Sequence, residues 1–148
     1  MANVVIDRLN PSDTATISHL YNNVFRPERT PEFFARRFLG RHNTLVLVAR
    51  IDNEAVGFLI AFELKPSTFY SWLCGVTPEM RRMGVGSQLM NAAVDWARTE
   101  GYSSLRFECQ NRHRAFLQFG ISAGFDIVGI RWDPDRSENL VIFEKLFD

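Results

Sequence analysis

"LCGVTPEMRRMGVGSQLM", residues 73–90, joins an apolar run to an amphipathic one through a turn holding two arginines and two glycines. Upstream, "TFYSWLCGV" (68–76) is apolar on both faces, as in a strand buried at the centre of a sheet. Downstream, Val85, Leu89, Ala92, Ala93 and Trp96 recur at helical spacing until Gly101 stops the pattern. The helix therefore begins on glycine, the residue that weakens a helix most after proline. The first N–H groups of any helix lack partners within it and stand at the positive end of its dipole. Gly84 and Gly86 leave those groups uncovered, and Arg81 and Arg82 add charge beside them. The combination suits a phosphate or pyrophosphate.

Three nucleotide motifs compete for this turn. A P-loop requires Gly-Lys-Ser/Thr, and here the second glycine is followed by Ser87-Gln88. A dinucleotide fingerprint requires a third glycine at position 89, which is Leu89, and glycines placed directly after the strand. The pattern R/Q-x-x-G-x-G/A fits in full with Arg81, Gly84 and Gly86.

The totals narrow the class. The chain has 148 residues, which predicts one domain with a single core spanning 1–148. Apolar residues make up 46%, which argues against disorder, and thirteen phenylalanines supply core bulk. Lys+Arg and Asp+Glu are both 17, so the broad basic field of a nucleic-acid binder is missing. No apolar run approaches the roughly 18 residues that read as a membrane span. The opening "MANVVIDRLNPSD" does not read as a signal peptide, so the expected compartment is cytoplasmic. Cys74 and Cys109 sit in apolar runs and read as buried thiols in a reducing compartment. With no C-x-x-C and three scattered histidines, no metal site is expected.

Along the chain, "VVIDRL" (4–9) reads as a first strand. Ser12 or Asp13 caps a helix carrying Ile17, Leu20, Tyr21 and Val24. Thr30 caps a second helix, with Pro31 at its first position and Gly40 as its stop. Asp52-Asn53 turns a hairpin between "TLVLVARI" and "EAVGFLIAFEL". "SSLRFECQ" (103–110), "FDIVGIRW" and "LVIFEKLF" are strands, and "HRAFLQFGISAG" is a helix. The order is βααβββαβαββ, a mixed α/β domain, with β4-helix-β5 and β5-helix-β6 as crossovers.

Residues 73–90 resemble the acyl-CoA-binding segment of the GCN5-related N-acetyltransferases, and the element order over 4–147 agrees with that fold. The resemblance implies a mixed, mostly antiparallel sheet with flanking helices and a splay between β4 and β5 beyond Cys74–Val76. It implies acetyl-CoA as co-substrate, its pyrophosphate on the backbone of Arg81, Arg82, Met83, Gly84, Val85, Gly86 and Ser87. The pantetheine arm would pair with β4 near Cys74 and Val76. "LRFECQNRHRAFLQFGISAGF" (105–125) is similar to the family's L-E-V-x-x-x-N-x-x-A-x-x-x-Y-x-x-x-G-F. Counting from Glu108, His113 takes the place of the CoA-contacting Asn, with Asn111 two residues early. Counting back from Gly124, Gly120 takes the place of the Tyr.

Acyl transfer to an amine needs a base, a donor for the carbonyl oxygen and a leaving thiolate. In "LRFEC", Glu108 lies on the face opposite Leu105, Phe107 and Cys109, and it is the first candidate base. Glu63, near the end of an apolar strand, is the second. A backbone N–H near Val76 is the candidate oxygen donor. Tyr70 or Cys74 could return the proton in place of the missing Tyr. A CoA thiol, with a pKa of about 8.5, leaves tolerably without one. Tyr70 and Trp72 share a face of β4 and could line the acceptor pocket. Arg26, Arg29, Arg36, Arg37 and Arg41 crowd the segment that borders it by resemblance, so an acidic amine is conceivable. The expected reaction is acetyl transfer from acetyl-CoA to a primary amine of a small molecule or peptide, without nucleic acid or membrane as partner. A homodimer stays open. The rival is a CoA-binding sensor without catalysis, which the altered Asn and Tyr positions favour.

Overall fold

The computed structural model describes residues 3–81 and 83–147. In chain order the elements are β1 (Val4–Leu9), α1 (Thr14–Asn22), α2 (Pro31–Phe38), β2 (Leu45–Ile51), β3 (Glu54–Lys65) and β4 (Thr68–Val76). A 3-10 turn (Pro78–Met80) leads to α3 (Val85–Thr99), β5 (Ser104–Gln110), α4 (Arg114–Ser122), β6 (Asp126–Asp133) and β7 (Glu138–Leu146). No helix among the described residues is long and apolar enough to cross a membrane.

Local chemistry sets most boundaries as the sequence predicts. Asp13 caps α1 through the Thr16 N–H, and Thr30 caps α2 through the Phe33 N–H. Asp52 and Asn53 both take positive φ, as a two-residue hairpin turn requires. The seven strands form one sheet in the order β1-β2-β3-β4-β5-β7-β6. Every neighbouring pair is antiparallel except β4 and β5, which the α3 crossover makes parallel. The α4 crossover carries the chain past the slot that β7 later fills.

Each face of the sheet has its own apolar layer. Leu89, Met90, Ala93 and Ala97 of α3 pack with Leu59, Phe69 and Leu105 on one face. Ile17, Leu20, Tyr21 and Phe34 of α1 and α2 pack with Val46, Phe58 and Ile60 on the other. A fully buried Leu or Phe contributes about 1.5–3 kcal/mol of transfer free energy, so both layers hold the sheet in place.

The splay begins earlier than the sequence suggests. Parallel pairing runs only from Thr68↔Ser104 to Ser71↔Phe107. At that point β4 contains a bulge: Ser71 faces Ala61 and Leu73 faces Ile60, so Trp72 has no opposite residue on β3. The extra residue bends β4 and reverses the alternation of its side chains. Beyond it, β4 stays with β3 as far as Gly57↔Val76 and parts from β5.

Gly120 also differs from expectation. It is buried, and a Cβ there would stand 2.6–3.0 Å from the Phe143 ring. That ring is backed by Phe107 in a stack with centroids 4.9 Å apart, so it cannot retreat. The position is glycine because an aromatic ring occupies its space. Gly120→Ala gains about 1 kcal/mol of helix propensity but overpacks the core by about 1–3 kcal/mol. Denaturant unfolding should show a net loss of stability. Gly86→Ala, whose Cβ would meet nothing closer than 3.8 Å, should shift stability by about 0.5 kcal/mol or less.

Candidate active site

The parting of β4 from β5 opens a cleft of about 1020 Å³. Its walls are the free edge of β4, the start of α3, one face of α4, the end of β5 and the segment from α1 to α2.

At one end lies the glycine turn. Gly84 is the N-cap of α3 at φ 77°, a left-handed conformation, and no side chain caps the helix. A Cβ on Gly84 would point into open space, and one on Gly86 would make only ordinary contacts. The first helical bond to return is Gln88 N–H to Gly84 C=O. The Val85, Gly86 and Ser87 amides therefore start the helix without helical partners. Val85 itself is buried in the core and anchors the turn, while Ser87 lines the cleft. Arg81 Nε donates to Val76 C=O at 3.4 Å, which holds its charge at the mouth. Met83 is half exposed and does not line the cleft. Arg82 lies outside the described residues.

The free edge of β4 supplies more backbone donors. Thr77 N–H donates to Val56 C=O on β3 at 2.9 Å. In an antiparallel ladder, alternate residues turn their polar groups to opposite sides, so the Val76 and Cys74 amides face the cleft. Burial pushes the Cys74 thiol up to about 12 and the Cys109 thiol up to about 11. Both stay protonated near neutral pH and neither is a ready nucleophile.

At the other end is a polar chamber. Glu108 Oε1 accepts from Arg131 Nη2 at 2.8 Å and from Arg131 Nε at 3.2 Å. Tyr70, beside them, has its phenol pushed up to about 12, first by burial and then by the Glu108 charge. Trp72 packs on Phe33, Phe34 and Phe62, with the Arg37 guanidinium 4.7 Å above its ring. Arg131 was invisible to sequence reasoning, because only the β5-β7-β6 order brings it to Glu108.

Three expectations are relocated. Glu63 pairs with Phe69 at the closed end of β4, accepts from Tyr102 Oη at 2.9 Å and does not line the cleft. The hairpin carries the end of β3 away from the opening. Asn111 is exposed and off the cleft, whereas His113, at the N-cap of α4, lines it. Partial burial and the Arg112 charge hold the His113 imidazole below its ordinary value, so it is neutral near pH 7. On α4, Arg114, Phe116 and Phe119 line the cleft; Phe119, next to the Tyr position, has no proton to give, and Gly120 faces Phe143 instead.

A family model described as acetyltransferase (GNAT) family matches residues 14–121. A protein of Bacillus subtilis (strain 168), named as an uncharacterized N-acetyltransferase YhfO, is 26% identical over 120 residues, 74% of this chain and 80% of that protein. The ribosomal-protein-S18-alanine N-acetyltransferase of Escherichia coli superposes with a TM-score of 0.81 at 20% identity, over 97% of this chain and 94% of that one. A GNAT family acetyltransferase of Elizabethkingia anophelis with acetyl-CoA bound gives a TM-score of 0.81 at 16% identity, over 98% and 99%.

The Tyr70 phenol yields a pH prediction. Its pKa is higher in the folded chain than the ordinary 10.0, so its contribution to stability is full below pH 10 and is lost as pH rises to about 12. Unfolding free energies across that window should fall by on the order of 2 kcal/mol more in the wild type than in Tyr70→Phe. Equal slopes would contradict the placement of the phenol.

Proposed function

The chain belongs to the GNAT family of acetyltransferases, and from that premise we propose that it moves an acetyl group from acetyl-CoA directly to a primary amine of a small molecule or peptide. The observation that carries this reading is the junction of two backbone surfaces. The Val85–Ser87 amides and the outward Cys74 and Val76 amides border one cleft, and no side chain caps the helix. A diphosphate suits the first set by charge and by the room that Gly84 and Gly86 leave. An extended arm with amide groups suits the second, as an added strand would. When bound, acetyl-CoA supplies an activated thioester and a thiol leaving group.

The remaining roles fall to this chain's own residues. Glu108 is the base: its carboxylate reaches the cleft and can take a proton from the amine, directly or through water. Arg131 fixes its orientation. The Val76 N–H is placed to stabilise charge on the carbonyl oxygen, an effect worth roughly 10²–10³ in rate at comparable sites. Tyr70, protonated at working pH, is the phenol on the cleft wall that can return a proton. Thr77, Asp133 and Asp135 receive no role.

A second reading, a CoA-binding sensor without turnover, draws on Phe119 in the cleft and on the commitment of Glu108 to Arg131. Two measurements separate the readings. Acetyl-CoA at about 100 times its Kd should stabilise the fold by about 2.7 kcal/mol and raise Tm by about 5–11 °C. Gly84→Val/Gly86→Val should abolish that rise while the apo protein still melts cooperatively. In an amine screen that follows free thiol release, Glu108→Gln should lose at least tenfold in kcat while keeping the acetyl-CoA thermal shift. Full activity in Glu108→Gln removes Glu108 as base. Binding without turnover on any amine selects the sensor.

A further inference from the structure

The acceptor end of the cleft holds more positive charge than proton removal and acetyl transfer call for. Arg29 and Arg37 both line it. Arg29 lies over the Phe33 ring and Arg37 over the Trp72 ring, each guanidinium 4.7 Å from the centroid. None of the ion pairs among the described residues includes either arginine: of the cleft carboxylates, Glu108 is already paired with Arg131, and Asp133 and Asp135 are paired with neither Arg29 nor Arg37. Arg29 Nε is buried and has no hydrogen-bond acceptor among the described residues. Buried donors are nearly always paired, and a charged one left single is the costly exception.

The root of Arg29 is held as a built site would hold it. Its carbonyl accepts from Ser18 Oγ at 2.6 Å and from Asn22 Nδ2 at 3.1 Å, and its N–H donates to Asn22 Oδ1 at 2.8 Å. Helix α1 thus fixes the backbone of Arg29 from both sides. The Phe33 ring face, 4.7 Å from the guanidinium carbon, holds the charged end in place. Nε is shielded at the base of the group, so the end-on fork of the two Nη groups is what is left to meet the two oxygens of a carboxylate.

We propose that the acceptor is an amine bearing a carboxylate, and that Arg29, with Arg37 beside it, grips that carboxylate while the amine faces Glu108. This rests on the acetyl-transfer reading and narrows its substrate class. Trp72 then serves as the floor that positions Arg37, and the arginines set specificity without touching the reacting atoms.

The test is calorimetric binding to protein saturated with CoA, so that it does not depend on turnover. Matched probes differ only in the charge: β-alanine against β-alaninamide, 4-aminobutyrate against 4-aminobutyramide, and the peptide amides Asp-Ala-Ala against Asn-Ala-Ala. In at least one pair the carboxylate should bind about 10- to 100-fold more tightly than its uncharged partner. Which pair shows the ratio tells whether the carboxylate belongs to a small amino acid or to a peptide. Arg29→Gln should bring the ratio to within twofold with CoA affinity unchanged, and Arg29→Lys, which keeps charge but not the fork, should retain part of it. Equal affinities within every pair, no binding by any probe, or a ratio that survives Arg29→Gln would overturn the proposal. A failure of CoA itself to bind would instead strike the acetyl-transfer reading.

Discussion

A strand inside a sheet must give its backbone groups a partner on each side, and β4 has one on its β5 side for only part of its length. Its pairing with β5 covers Thr68 to Ser71 and then stops. Beyond that point the outward N–H and C=O groups face a cleft instead of a neighbouring strand. Unpaired backbone groups in an interior are costly, so the fold keeps this gap open at one end. The α3 helix begins at the same opening, and its first amides also lack internal partners. Two orphaned backbone surfaces meet there, and what the protein can hold follows from that meeting.

The charges around the cleft divide by position. At the glycine turn the helix dipole and Arg81 favour an anion. In the middle, Glu108 brings a carboxylate that Arg131 keeps in place. Beyond it, Arg29 and Arg37 stand over aromatic rings and form no ion pair among the described residues. The apolar sulfur and phenol groups between them stay protonated: Cys74 and Tyr70 are both pushed to about 12, by burial first. This distribution suits a direct transfer with a carboxylate base better than a relay through a cysteine.

Much of this was legible in the chain itself. The glycines at 84 and 86, the apolar run before them and the stripe on α3 specify a strand, a bare turn and a helix through local rules alone. Alternation in "LRFEC" sufficed to turn Glu108 away from the core face. The misreadings all concern pairing between distant segments. A bulge leaves no compositional mark, since Trp72 is as apolar as its neighbours, so the earlier onset of the splay was hidden. Glu63 stands at a strand end by sequence, but hairpin geometry sends that end to the closed side of the wedge. Gly120 fills the Tyr position by count, yet Phe143 claims its space and Phe119 reaches the cleft. Arg131 meets Glu108 only because β7 enters between β5 and β6.

Amide hydrogen exchange, followed residue by residue with and without CoA, tests the central claim most directly. In the free protein the amides of Cys74, Val76, Val85, Gly86 and Ser87 should exchange fast for their depth, while those of Leu89 and Ala93 in the same fold exchange slowly. Saturating CoA should slow both exposed sets together by about tenfold or more. Slow exchange at these amides in the free protein, or protection that appears elsewhere while they stay unchanged, would contradict the account.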